Sequence, residues 1–273
     1  IEARGLLIGA TAGRTTLAGE GLQHQDGQGL LLASTIPNCI AYEPAFNYEL
    51  AVIVQHGLRR MFADKENVFF YITVMNENYH HPVMPEGVQE KILKGMYRVR
   101  RAKRPRKQAP RVQLLGSGAI LCESLAAADL LEKDFGVLSD VWSVTSFNEL
   151  ARDGRDKARW NLLHPSDQPR ISFVEECLQD ESGPVIATTD YVRNYAEQIR
   201  EFVPGRYLVL GTDGFGRSGT RQQLRAFFEV DRHYIVLTAL KALAEEDSVP
   251  TTAITEAIER YRIDTEKPNP IGV

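Results

Sequence analysis

Side chains whose types and spacing could do acid–base chemistry cluster near the start of this 273-residue chain. In the string GEGLQHQDG, Glu20, His24 and Asp26 fall within seven residues, and Gly19, Gly21 and Gly27 free the backbone to expose them. A neutral imidazole accepts a proton, and an imidazolium donates one or stabilises an oxyanion near neutral pH. A neighbouring carboxylate can orient such a ring and raise its pKa. The pattern has two readings: an active-site loop centred on His24, or a surface loop whose polar groups are satisfied locally.

Other candidate motifs are weaker. GSG at Gly116–Gly118 falls between an expected strand and helix, where a phosphate-binding turn would sit. It lacks the rest of a GxGxxG or GxxxxGK[ST] pattern, which favours a tight turn with glycines for backbone clearance. TDGFGRSGTR at Thr212–Arg221 is a second glycine-rich turn. There Asp213 could bond its own backbone, and Arg217 and Arg221 could hold an anion or a subunit contact. His80 and His81 are adjacent, so on a regular element they point apart and make a poor metal pair. No HExxH or zinc-spaced His/Cys cluster occurs, and neither Ser117 nor Ser218 sits in a GxSxG elbow.

The elements that must position these residues read as alternating strands and helices. Residues 9–29 form a glycine-rich loop, a short buried strand follows within LLLASTIPNCIAY, and Pro44 opens a helix with apolar residues at helical spacing through 49–62. VFFYITVM at Val68–Met75 is a central strand, and a short helix ends near Met96. Strands are expected at 112–116, 137–144, 184–188 and 207–211. Helices are expected at 119–133, 147–163, 191–202, 221–228, 233–246 and 252–261. The fold class is therefore α/β, with mainly parallel sheets flanked by helices. Between Arg98 and Arg111 lie eight basic residues and no acidic one, interrupted by Pro105 and Pro110. The stretch reads as an interdomain connector, or as a docking surface for an acidic partner or a phosphate backbone.

Composition excludes several classes. With 36 acidic against 32 basic side chains the chain is no dedicated nucleic-acid binder. No apolar run reaches about 18 residues, so no membrane helix is expected. Three scattered cysteines, Cys39, Cys122 and Cys177, suit a reducing, cytoplasmic setting. The chain starts IEARGLL, without Met or signal peptide, which leads to the expectation of a processed or truncated chain with missing upstream parts.

Seven strings then carry a resemblance. GRTTLAGEGLQHQDG, TIPNCIAYEPAFNYE, YITVMNENYHHPVMPEG, VQLLGSG, SDVWSVTSFNELARDG, RWNLLHP and VLGTDGFGRS follow one another in order. Together they resemble the C-terminal portion of the homodimeric bacterial pyruvate dehydrogenase E1 component, from about residue 5 to the end. The resemblance implies a thiamin-diphosphate- and Mg²⁺-dependent enzyme of the transketolase superfamily. Residues 1–97 would be the second half of a pyrimidine-binding domain, 98–110 a basic linker, and 111–273 a transketolase-like C-terminal domain. The implied complete enzyme is a homodimer that decarboxylates pyruvate and reductively acetylates the lipoyl group of the E2 dihydrolipoyl acetyltransferase, the cofactor acting as electron sink.

By the same resemblance His24 is the catalytic and substrate-binding histidine. Glu20, Gln23 and Asp26 carry over only as its neighbours. Tyr42, Glu43 and Asn47 either approach the same cleft or serve helix initiation and packing. The family's GDG-plus-Asn motif for diphosphate and Mg²⁺ is missing, and GTDG at 211–214 lacks the following Asn. The family's glutamate for the aminopyrimidine is missing too. No cofactor- or metal-binding residue is therefore expected in this chain, which should be inactive alone. A generic transketolase or another 2-oxo acid dehydrogenase is a second enzyme reading, and NENYHHP and GTDGFGRS favour E1 over it. A different class, a non-catalytic dimerisation or complex-docking module, rests on the basic stretch and the C-terminal domain.

Overall fold

The computed structural model describes residues 2–9, 13–19, 21–102 and 109–273. Glu20 and the basic residues Lys103, Arg104, Arg106 and Lys107 therefore lie outside the described residues. Two sheets organise the chain. The first is parallel, in the order β1 (Leu6–Gly9), β3 (Phe69–Thr73), β2 (Cys39–Tyr42). The second runs β4 (Met96–Arg100), β6 (Leu138–Val144), β5 (Arg111–Gly116), β7 (Val185–Thr188), β8 (Tyr207–Leu210), parallel except for β4. The helices are α1 (Gly29–Ala33), α2 (Asn47–Leu58), α3 (Gln89–Lys94), α4 (Ile120–Phe135), α5 (Phe147–Leu163), α6 (Phe173–Leu178), α7 (Arg193–Glu197), α8 (Arg221–Phe227), α9 (Arg232–Glu245) and α10 (Thr252–Tyr261). Mainly parallel sheets flanked by helices are thus what the chain forms. Among the described residues no helix is long and apolar enough to cross a membrane.

Local chemistry explains most boundaries. Side-chain oxygens of Ser146, Ser172, Thr220 and Asp231 accept backbone N–H groups that would otherwise be orphaned at the starts of α5, α6, α8 and α9. Gly136 ends α4 in the left-handed conformation open to glycine. Strand β7 is buried on both faces, as its uninterrupted VIAT run requires in a sheet covered by helices. Four short elements depart from the expected pattern: β1, α1, β4 and α6. The basic stretch begins inside β4, where Arg98 pairs with Glu181 and Arg100 with Asp129. The expected helix over 191–202 is α7 followed by a separate turn at Arg200–Phe202.

The two sheets share their cores. Leu30, Cys39 and Ala41 from the N-terminal part pack with Leu115, Trp142, Phe147 and Tyr191 in one apolar cluster. Ala45 and Phe46 join a second cluster with Val112, Leu114 and Ile186. Glu49 is fully buried at this junction. Its Oε1 accepts from the Tyr97 hydroxyl at 2.6 Å and from Ser143 Oγ at 2.7 Å. Its Oε2 accepts the backbone N–H groups of Ala45 and Phe46 at 2.5 and 3.0 Å. Because the Tyr97 proton goes to Glu49, Tyr48 is the donor in the 2.6 Å bond between the two tyrosines. Burial pushes the Glu49 carboxyl above the usual carboxylate range, and these four donors pull it back.

Glu49→Ala should therefore cost about 3 kcal/mol or more, because it strands several buried donors at once. Urea unfolding of the wild type and the variant measures it. A loss within about 0.5 kcal/mol, the range of ordinary surface substitutions, would show that the junction does not depend on this carboxylate.

Candidate functional site

Leu22–His24 form a single 3₁₀ turn, with the His24 N–H donating to the Gly21 carbonyl at 3.3 Å. His24 is exposed. Gly21 sits at φ 79°, and a Cβ there would come within 2.7 Å of Ser218 Oγ. Only glycine satisfies both the left-handed backbone and that close approach.

The turn rests on the second glycine-rich segment. Gln25 Nε2 donates to the Arg217 carbonyl at 2.6 Å, and the Arg217 N–H donates to Gln25 Oε1 at 2.9 Å. One amide side chain thus reads both main-chain groups of one residue. The Gly19 N–H adds a bond to the Gly219 carbonyl at 3.0 Å. Arg14 donates to the Gly214 carbonyl, and Arg221 Nε donates to the Thr16 carbonyl at 2.6 Å. The two loops that sequence reasoning treated separately are therefore one structure. Exposed Leu22 and Phe215, one from each loop, leave apolar surface beside His24.

Beneath the turn lies a buried acidic junction. Asp26 Oδ1 accepts from the Gln28 and Gly29 N–H groups at 3.1 and 2.7 Å, and its Oδ2 accepts the Tyr71 hydroxyl at 3.2 Å. This carboxylate therefore holds the exit of the His24 loop. Glu43 is buried facing Ser117 and Thr189, and burial, with Asp190 and Asp26 nearby, pushes its carboxyl well above the usual range. Asp190 Oδ2 accepts the Thr15 N–H at 3.2 Å. Burial pushes the Asp190 carboxyl up to about 6, opposed by the Arg225 guanidinium and the Thr15 bond. Among the described residues Glu43 Oε2 and Asp190 Oδ1 have no hydrogen-bond partner.

The remaining candidates separate. Of the three residues near the start of α2, only Glu43 reaches the junction. Tyr42 is buried with its hydroxyl donating to the Leu93 carbonyl at 2.7 Å, and the exposed Asn47 donates its N–H to His81 Nδ1 at 3.1 Å. The GSG turn is a matter of clearance: Gly118 has φ +49°, and a Cβ there would lie 2.4 Å from Glu43 Oε1. Asp213 bonds outside its own loop, accepting the Arg193 N–H at 2.9 Å and Arg193 Nε at 2.7 Å. The Arg217 guanidinium lies over the Phe227 ring, and Arg221 reaches the Thr16 carbonyl. Among the described residues no cluster of three or more His, Cys, Asp or Glu side chains could hold a metal ion. Sequence reasoning missed Gln25, Arg14 and Asp190, whose partners are remote in the chain.

Comparisons with known proteins agree with this architecture. Residues 1–82 match the pyruvate dehydrogenase E1 component middle domain, and residues 95–231 match the transketolase-like C-terminal domain. A pyruvate dehydrogenase E1 component from Cupriavidus necator is 60% identical over the whole chain, and one from Escherichia coli is 52% identical over 98% of it. The chain spans 30% of the length of each of these curated relatives. A transketolase mutant structure from Pichia stipitis superposes with a TM-score of 0.63 at 16% identity, over 89% of this chain and 30% of that one, a likeness of fold.

Two outcomes follow from this geometry. Gln25→Ala should make the Arg217 amide exchange about tenfold faster with solvent, a local loss of about 1.4 kcal/mol, with the core amides unchanged. Unaltered exchange at Arg217 would mean that the amide clamp does not hold the turn. Asp190 binds its proton more tightly folded than unfolded, so its contribution is complete below about pH 4 and is lost as pH rises through about 6. Relative to Asp190→Asn, the wild type should lose roughly 3 kcal/mol of stability between pH 4 and pH 7. Parallel stability–pH curves for the two proteins would refute the shifted carboxyl.

Proposed function

Because the chain belongs to the pyruvate dehydrogenase E1 family and ends in a transketolase-like C-terminal domain, we propose that it forms the histidine-bearing wall of that enzyme's active site. The observation that carries this reading is the exposed His24, on a turn clamped between two glycine-rich loops. In the complete enzyme, thiamin diphosphate supplies the electron sink for decarboxylation. On this reading cofactor and Mg²⁺ are held by other parts of that enzyme, since the GDG-plus-Asn string that the resemblance calls for does not occur in this chain.

The share of this chain is positioning and proton management. The His24 imidazole hydrogen-bonds the substrate oxygen and passes a proton to or from it. The Gln25 clamp limits where the ring can go, which converts an otherwise loose turn into a directed group. The exposed Leu22 and Phe215 give the lipoyl arm of E2 an apolar surface. Overall, pyruvate loses CO₂, its two-carbon remainder is oxidised to an acetyl thioester, and the lipoyl disulfide is reduced to accept it. The reading also implies a homodimer in the cytoplasm, working within a multienzyme complex with E2.

In the complete E1, His24→Ala should lower acetyl transfer to lipoyl about 100-fold, the scale of one lost general acid–base or hydrogen-bonding group. Its thermal unfolding should hardly move, because the ring is exposed. Unchanged turnover, measured with lipoylated E2 domain, would refute the assignment and leave the docking-module reading.

A further inference from the structure

Away from His24, a cleft of about 680 Å³ opens between α8, the start of α9 and the end of α10. That volume is within the range of small-molecule sites. Arg221, Arg225, Arg232 and Arg262 line it, with the carboxylates of Glu123 and Asp231. Both carboxylates are committed. Glu123 accepts from Arg232 Nε at 2.8 Å and Nη2 at 3.0 Å, and from Arg225 Nη1 at 3.4 Å. Asp231 Oδ1 caps α9 by accepting the N–H groups of His233 and Tyr234 at 2.9 and 3.0 Å. Arg225 is further bound by Glu77 and by Thr15 Oγ1, which makes it structural.

Arg262 and one edge of Arg221 remain available. Arg221 donates through Nε and Nη2 to the main-chain carbonyls of Thr16 and Asn76 and pairs loosely with Glu77 at 3.7 Å, which leaves its Nη1 for a ligand. Arg262 is exposed, with no ion pair or side-chain hydrogen bond among the described residues. It stands at the left-handed C-terminus of α10, φ 53°, where glycine or asparagine is the easier residue. One wall of the cleft is aromatic: the His233 and Tyr261 rings stack with centroids 4.6 Å apart.

We propose that this cleft binds an organic phosphate, its phosphoryl group held by Arg221 and Arg262 and its ring lying along the His233–Tyr261 wall. The uncommitted Arg262 fork can match phosphate oxygens bidentately, Arg221 adds a single donor through Nη1, and a ring pair beside them selects a planar appendage over bare phosphate. The proposal goes beyond the E1 reading and does not depend on it. The cleft also has a route to the site already described, since Arg221 holds the Thr16 carbonyl in the segment leading to the His24 turn.

Titration calorimetry of the 273-residue chain with AMP and with inorganic phosphate tests this. AMP should bind saturably, more tightly than inorganic phosphate, and weaken as salt rises. Arg262→Glu should weaken AMP about tenfold or more. Arg155→Glu, an exposed position on α5, should leave binding unchanged. Circular dichroism of each variant confirms that the fold is retained. No saturable AMP binding by the wild type, or equal weakening by both variants, would overturn the site. Equal affinity for AMP and inorganic phosphate would overturn the role of the ring wall.

Discussion

A single buried carboxylate, Glu49, ties the two sheets together. Its four hydrogen bonds reach the start of α2, β4 and β6, so the first turn of a helix on one sheet is stitched to two strands of the other. Charge in an apolar junction is tolerable only when its lone pairs are occupied, and here they are. The constraint is geometric as much as energetic. With Glu49 in place, the N-terminal unit cannot rotate against the C-terminal sheet without breaking buried hydrogen bonds. Every relationship across that seam, including the seating of the His24 turn, presumes this alignment.

The seam then carries polar contacts into the interior. Glu43, Asp26 and Asp190 lie along it, and Arg225, which shares Thr15 with Asp190, continues it to Glu77 and Glu123. Such groups contribute little net stability after desolvation. Their value is in direction: each demands a partner at one distance and one angle, which an apolar contact does not. A histidine at the end of a glycine-rich loop needs that kind of direction, since its own segment supplies almost no packing.

Much of the architecture was legible in the sequence. Helices α4, α5, α9 and α10 follow from apolar residues at helical spacing, and β3 and β6 from branched and aromatic runs. Strand β4 was not legible, because Arg98 and Arg100 look like part of a solvated basic tract. Their counter-charges, Glu181 and Asp129, come from distant parts of the chain. Strand β1 is only four residues long and runs into glycine-rich sequence. The exposure of His24 could be read from its glycines. The pairing of Gln25 with Arg217 could not, since an amide that bonds main-chain atoms 192 positions away leaves no mark at the other end.

That last contact has an evolutionary corollary. Gln25 grips peptide groups, which every amino acid but proline presents alike. Position 217 is thus free to drift without loosening its grip, while position 25 has few acceptable replacements. Asymmetry of this kind predicts a lopsided substitution record: tolerance on the loop that is held, intolerance on the one that holds.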